Sequence, residues 1–324
     1  MTNNEPNIQV KPPSSPSSKK KSYFQRNKDF WGSTQRRKRA LAGYTFIAPA
    51  YLLFVIFLFI PVIWAFYLSF TSYTIFTPGE FVGIGNYSRL VNDNSFRTAL
   101  WNTTYYALMV IPLNISISLC LALLVNRKMK GMNFFRAAYY VPVVTSIIAA
   151  SMIWMWLYDS NNGLINYVLI QLGFNPQSWL NDPNLALPAL AFMRVWKGVG
   201  WNMVIFLAGL QSIPKTLYEA ASIEGAGGWK SFWKITWPLL APTTFFVFVM
   251  ATISTFQTFG EIYAMTSGGP VGSTTTLVYL IFVYGFERYE MGYAAAIAFV
   301  LFFIIFVLTL INMFITQKKV NYDL

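Results

Sequence analysis

The 324 residues contain no histidine and a single cysteine, Cys120. Without an imidazole, Ser-His-Asp triads, Cys-His dyads and the commonest metal ligand are excluded. One thiol allows no intrachain disulfide and leaves no thiolate metal cluster. Charge is also scarce: Asp, Glu, Lys and Arg make up 11% of the chain, against about 25% in an ordinary soluble domain. What replaces it is apolar, 55% hydrophobic residues with 18% aromatic. Length alone implies about two soluble domains, but repeated long apolar runs override that expectation and call for a lipid solvent. Acidic residues are half as numerous as basic ones, giving a net charge of +12. A basic excess can serve nucleic acid. Here the positive residues gather in the N-terminal tail and in short loops between apolar runs, the pattern of membrane orientation.

Residues 1–40 are polar and low in complexity, with Pro12, Pro13, Ser14, Ser15 and Pro16 followed by Lys19, Lys20 and Lys21. Such a stretch buries too little apolar surface to offset its ordering entropy and reads as a disordered basic tail. Its length, and the length of the apolar run after it, do not fit a cleavable signal peptide. Residues 41–324 form the membrane domain, with six expected spans: Tyr44–Phe70, Thr98–Val125, Phe134–Tyr158, Leu185–Leu210, Pro242–Met265 and Gly292–Thr316. The fold class is thus an all-α polytopic membrane protein. With the N-terminus inside, the inner segments carry 19 Lys and Arg and the outer loops only Arg89, Arg97 and Arg288. Both termini are therefore expected in the cytoplasm. In the outer segment 159–184, Leu164, Ile165, Val168, Leu169 and Leu172 recur at helical spacing over too few residues to span, which predicts an interfacial helix. Residues 276–286 form either a second short outer helix or an outward extension of the sixth span.

Polar residues inside the spans are costly and point to function or to buried pairs. Arg194 and Lys197 lie in the fourth span, where they either face a cavity or a buried partner or snorkel to the outer interface. Glu261, in the fifth, has Gln257 one helical turn before it, so both are read as facing a cavity. Trp101, Trp154, Trp156, Trp196 and Trp201 read for the most part as interface-belt residues, with sugar stacking as the alternative.

The longest inner loop, residues 214–242, carries the most specific pattern. Glu219, Ala220 and Ala221 favour a helix from Leu217 to Ile223. Gly225, Gly227 and Gly228 supply a turn. Trp229, Phe232, Trp233 and Ile235 give a second short helix an apolar face, and Pro238 and Pro242 close it. This helix pair either docks into a groove of another protein or lies on lipid. Gly225 through Ser231 is similar to a phosphate-binding loop, but Trp229 stands where that loop needs glycine before Lys230, and no strand precedes it. Nucleotide binding by this chain is therefore not expected.

Glu219, Ala220, Ala221, Gly225, Ile235 and Pro238 match, in order and spacing, the EAA loop of permeases in bacterial ATP-binding-cassette importers, although Glu224 stands where the sugar-importer form has Asp. The likeness extends to Phe135-Arg136 with Pro142, to Asn162-Gly163-Leu164-Ile165-Asn166, to Trp179-Leu180 with Pro183, to Leu207-Ala208-Gly209-Leu210 with Ile213-Pro214, and to Ser267-Gly268-Gly269-Pro270. The chain most resembles the first permease of maltose- and glycerol-phosphate-type importers. The resemblance implies a bacterial inner-membrane subunit that forms half of a sugar pathway and is itself no enzyme. It implies a second permease subunit, two copies of an ATPase that binds the ATP, and an extracytoplasmic sugar-binding protein as partners, besides membrane lipid. It assigns Glu219, Ala220, Ala221, Glu224, Gly225 and Ala226 to the ATPase contact. Tyr105, Asn202, Gln257 and Glu261 are candidate substrate-pathway residues. The competing expectations are an ion-coupled secondary carrier, which commonly shows internal repeats, and a membrane enzyme, for which no clustered acid–base partners are found.

Overall fold

The computed structural model of the chain describes residues 34–127 and 129–317. Most of the expected tail (residues 1–33), and Lys128, Lys318 and Lys319 of the charge count, lie outside the described residues. The described residues fall into two compact units, which divide between Ile63 and Trp64. In the first, helix α1 (Thr34–Phe54) passes through a π turn (Val55–Phe59) into helix α2 (Ile60–Leu68), which crosses into the second. No residue from Arg37 to Ile63 is buried. A helix that is apolar all round is stable only where its solvent is apolar too. Helix α1 begins inside the stretch read as tail.

The second unit contains α3 (Gly85–Asn92), α4 (Asn94–Val125), α5 (Met132–Val144), α6 (Ile147–Leu157), α7 (Leu164–Gln171) and α8 (Ala186–Ser212). After them come α9 (Lys215–Ile223), α10 (Gly228–Ser231), α11 (Trp237–Leu239), α12 (Ala241–Phe256), α13 (Gly260–Met265), α14 (Leu277–Phe282) and α15 (Met291–Gln317). Among the described residues the only extended pairing is an isolated bridge between Thr71 and Phe81.

Six spans are expected, but length and apolarity single out four: Arg37–Leu68, Asn94–Val125, Ala241–Met265 and Met291–Phe314. A fifth results if α5 and α6, bent by 99° at their junction, count as one. The expected third span is therefore broken rather than continuous. The expected fourth coincides with α8, whose 27 residues reach about 40 Å at 1.5 Å each. Arg194, Lys197, Gln211 and three glycines dilute its apolarity, which is why it is not among the four. The short helix expected near residue 164 is α7. Residues 277–287 form a short helix and π turn of their own, separated from α15 at Tyr289, whose φ is +61°.

Helix α4 is the axis of the core. Its first half packs on α14 and α15 through Ala99, Ala107, Leu277, Leu280 and Ile297. Its middle meets α6, α8 and α13 through Tyr106, Val110, Trp154, Leu190 and Ile262. Its last turns meet α8 and α12 through Leu119, Ala122, Phe206 and Val247. Trp154, read as a belt residue, is instead core: it is buried and stacks edge-on to Phe192 and Trp196. Close approach needs small residues. A methyl group on Gly200 would lie 2.2 Å from the carbonyl oxygen of Tyr139 on α5, and one on Gly198 would lie 2.6 Å from Asn114 Nδ2 on α4. Helices in lipid gain most of their attraction from such close packing.

The start of α4 is tied to the π turn after α14 (Val283–Glu287) and to α15 by Asp93. Its carboxylate caps α4 by accepting from Ser95 N at 2.8 Å, and it also accepts from the hydroxyls of Tyr284 at 3.0 Å and Tyr293 at 2.7 Å. Arg89 lies 3.9 Å above the Tyr293 ring and pairs with Glu290. Burial pushes the Asp93 carboxyl upward, but the hydrogen bonds outweigh it and hold the group below its usual 3.8. A lowered carboxylate value stabilises the fold above the unfolded value and loses that effect as pH falls through the folded one. Asp93→Asn is expected to lower the thermal midpoint at neutral pH. The gap to wild type should stay constant down to about pH 4 and narrow below it. A pH-independent gap, measured by thermal unfolding in detergent, would show that Asp93 acts through packing alone.

Candidate functional site

A cavity of about 240 Å³ opens between α4, α5, α8 and α12. Helix α8 contributes Arg194, Lys197, Gly198, Trp201 and Asn202, and α12 contributes Met250, Ala251, Ser254 and Thr255. Val110 and Asn114 of α4 and Val143 of α5 complete the wall. The polar seam behind it is closed. Asn202 Nδ2 donates to Asn114 Oδ1 at 2.7 Å, and Ser118 Oγ donates to the Val199 carbonyl at 3.0 Å. In lipid every such group must find its partner inside the protein.

Both cations on the cavity wall are held by geometry. Lys197 Nζ donates to three carbonyl oxygens, Pro142 at 3.0 Å, Val143 at 3.4 Å and Thr145 at 2.7 Å. These lie at or just beyond the C-terminal end of α5, where the chain turns by 99° into α6. The last carbonyls of a helix lack intrahelical partners and carry partial negative charge. An ammonium from a neighbouring helix supplies both the donors and the countercharge. Arg194 Nη2 donates to the Ser254 carbonyl at 3.1 Å, and Nη1 lies 3.5 Å from Glu261 Oε1. Glu261 is 1% exposed and accepts hydrogen bonds from the hydroxyls of Tyr106, at 3.1 Å, and Thr258.

At one end of the bundle, α8 is followed after Ile213 and Pro214 by α9, and the chain returns through α10, a π turn (Phe232–Thr236) and α11 to α12. Helix α9 ends in a capping turn that only glycine enters without strain. Gly225 has φ +74°, its N–H donates to Ser222 O at 3.1 Å, and the Ala226 N–H donates to Ala221 O at 2.9 Å. This pair of bonds is the Schellman arrangement. Glu219, Ala220, Glu224 and Gly225 are exposed, and Ala221 and Ala226 half-buried. The helix pair is fastened by a Tyr218–Thr236 hydroxyl bond of 2.9 Å and by Tyr218, Phe232 and Ile235, which pack on the core.

A family model described as a binding-protein-dependent transport system inner membrane component matches residues 128–320, which contain the loop and most of the cavity wall. This chain belongs to that family. It is 38% identical over 288 residues to the arabinooligosaccharides transport system permease protein AraP of Bacillus subtilis (strain 168), covering 87% of this chain and 90% of that protein. It is 36% identical over 283 residues to the sn-glycerol-3-phosphate transport system permease protein UgpA of Agrobacterium fabrum, covering 86% and 96%. A chain in the crystal structure of a bacterial alginate ABC transporter in complex with an alginate pentasaccharide-bound periplasmic protein shares the fold, with a TM-score of 0.78 at 21% identity over 87% of this chain and 96% of that one.

Of the four pathway candidates in this permease, the cavity takes in Asn202 alone. Tyr105 is exposed and stacked on Trp101 at 6.4 Å. Gln257 is exposed at the end of α12, and Glu261 lies beyond the break on α13. The helix does not continue from one to the other, so the shared-face argument fails. Glu261 faces Arg194, Tyr106 and Thr258. Arg194 and Lys197 both line the cavity, and each has a partner on another helix, Glu261 for Arg194 and the carbonyls of the α5–α6 bend for Lys197, so the cavity-or-buried-partner reading holds for both. The cavity residues that the sequence reading passed over are Asn114, Ser254 and Thr255. Asn114 alone carried a signal, a lone amide in the middle of an apolar run.

Lys197→Met keeps the stem and removes the ammonium. The substitution is expected to cost on the order of 2 kcal/mol, because the carbonyls at the break lose charged donors. The purified permease should melt several degrees lower. An unchanged midpoint would show that the break holds without the lysine.

Proposed function

We propose that this chain is one permease half of an ATP-binding-cassette sugar importer, and that it moves its cargo past the cavity when a separate ATPase pulls on the loop at 214–242. One observation carries this reading. The loop directly joins α8 and α12, the two helices that supply most of the cavity wall. A displacement of the loop is thus delivered to both sides of the cavity at once. Rigid-body rocking of helices around a fixed central site is how such proteins exchange access between the two membrane faces.

In this scheme Glu219, Ala220, Ala221, Glu224, Gly225 and Ala226 meet a groove of the ATPase. The exposed short side chains allow close seating, and the Tyr218–Thr236 bond keeps the knob from swinging free. ATP is bound and hydrolysed on two copies of that ATPase. A second, related permease supplies the other half of the pathway, and an extracytoplasmic binding protein delivers the cargo. The periplasmic protein present with the alginate transporter, and the family's dependence on binding proteins, support that last partner. The cargo class follows relatives that carry arabinooligosaccharides and sn-glycerol-3-phosphate. Asn202 and Trp201 meet it in the cavity, Tyr105 and Gln257 lie on exposed flanks of the route, and Glu261 holds Arg194 in place. Both termini and the loop are cytoplasmic.

Two measurements test the scheme. A β-carbon at Gly225 meets nothing within 4 Å, so within this chain Gly225→Val acts through the left-handed backbone, at about 1–2 kcal/mol. Gly225→Val is expected to lower ATP-driven uptake by about tenfold or more in proteoliposomes holding the full complex, whereas Gly225→Asn, which tolerates that conformation, retains most of it. Equal uptake by Gly225→Val and wild type would remove the loop from the coupling path. In a Cys120→Ser background, Glu224→Cys should react with a membrane-impermeant maleimide in inside-out vesicles and stay unlabelled in right-side-out ones. The opposite pattern would invert the topology.

A further inference from the structure

The cavity holds more positive charge than its surroundings neutralise. Arg194 and Lys197 are on its wall, Glu261 is buried behind Arg194, and the remaining lining residues are uncharged. Lys197 spends its three N–H bonds on the carbonyls at the end of α5, a helix terminus worth about half a negative charge. Glu261 answers Arg194 only in part. It lies 3.5 Å away, and its Oε1 already accepts from Tyr106 and Thr258. Arg194 makes one hydrogen bond among the described residues, to Ser254 O. A guanidinium has five N–H donors, and the Arg194 side chain is 23% exposed, on the cavity side. Its open donors form a planar fork, the shape that fits a carboxylate or phosphate edge-on. Arg194 is thus paired but not saturated, and its open donors on the cavity side can receive a further anionic group.

We infer that this permease carries an anionic sugar, one bearing a carboxylate or a phosphate ester, and that Arg194 receives the anionic group in the cavity. The inference rests on the reading of the cavity as part of the pathway. The volume of about 240 Å³ falls below the roughly 300–1,000 Å³ of a pocket that encloses a whole ligand, so the cavity takes the charged end ring of the cargo. Trp201, half exposed at the wall, offers a ring face for that sugar to stack on.

The test uses the complete importer, purified with its partner subunits, and calorimetric titration with matched monosaccharides: glucose, glucuronate and glucose 6-phosphate, and the same three from galactose. At least one anionic probe is expected to bind about tenfold tighter than its neutral counterpart, with the uronate or the phosphate arm identifying the anion. Arg194→Gln should bring that probe down to the neutral sugar's affinity. Because Arg194→Gln leaves Glu261 without its countercharge, the double variant Arg194→Gln/Glu261→Gln is measured beside it. If the double variant kept the anion preference, Arg194 would not be the receptor. Equal binding of neutral and anionic probes to wild type would overturn the anionic cargo and leave the cavity as pathway. Failure of all six probes to bind would remove the pathway reading and this inference together.

Discussion

Charge that has left water must be answered by the protein itself, and in this permease that demand organises the middle of the bundle. Arg194, Lys197 and Glu261 come from two segments, yet their partners come from four: Ser254 on α12, Tyr106 on α4, Thr258 at the α12–α13 break, and the carbonyls where α5 gives way to α6. An unpaired ion at this depth costs at least about 2.5–3.5 kcal/mol, so each helix is held in register by the need to keep these bonds. The glycines of α8 serve the same end, because Gly198 and Gly200 let the helix approach α4 and α5 closely enough for Asn202 and Lys197 to reach across.

The two ends of the second unit are built by different physics. Around Asp93, tyrosine hydroxyls and an arginine of α3 over an aromatic ring lock the start of α4 to the π turn after α14 and to α15. At the loop, the fastening is one hydroxyl pair and a small apolar seat, and the side chains beyond it are exposed. Trp229, Trp233 and Trp237 form a run of touching rings along the helical return of the loop through α10, the π turn and α11, with centroids 5.7 and 6.0 Å apart. The stiff end and the lightly seated end are thus joined by α4, whose start is capped by Asp93 and whose last turns pack on α8 and α12.

Features set by local chemistry were legible in the sequence. The apolar runs place α4, α15 and the start of α12 within a few residues. The helical spacing of Leu164, Ile165 and Val168 places α7, and the glycines after Ile223 place the turn. The breaks at Thr145–Ser146 and at Gln257–Phe259 were not read from the sequence, where Pro142 before the first and Gly260 after the second are weak signals inside otherwise apolar runs. Each break is stabilised by a side chain distant in sequence, Lys197 for one and Arg194 with Tyr106 around Glu261 for the other. The same blindness misassigned Trp154, whose neighbours Phe192 and Trp196 lie some 40 residues away. It also hid the Asn114–Asn202 pair, whose members are 88 positions apart. Composition reports that a helix is apolar, but which neighbour supplies its missing bond is a long-range property.

The contact between Lys197 and the bent segment is also a bearing. Its ammonium sits on a flexible four-carbon stem and finds three acceptors at 2.7, 3.0 and 3.4 Å. When α8 slides or turns slightly against α5, the shortest of these bonds can lengthen while another shortens, and the ion is never bare. Relative motion of the two helices therefore meets a shallow, continuous resistance instead of a desolvation barrier, which gives the corner compliance without loosening it.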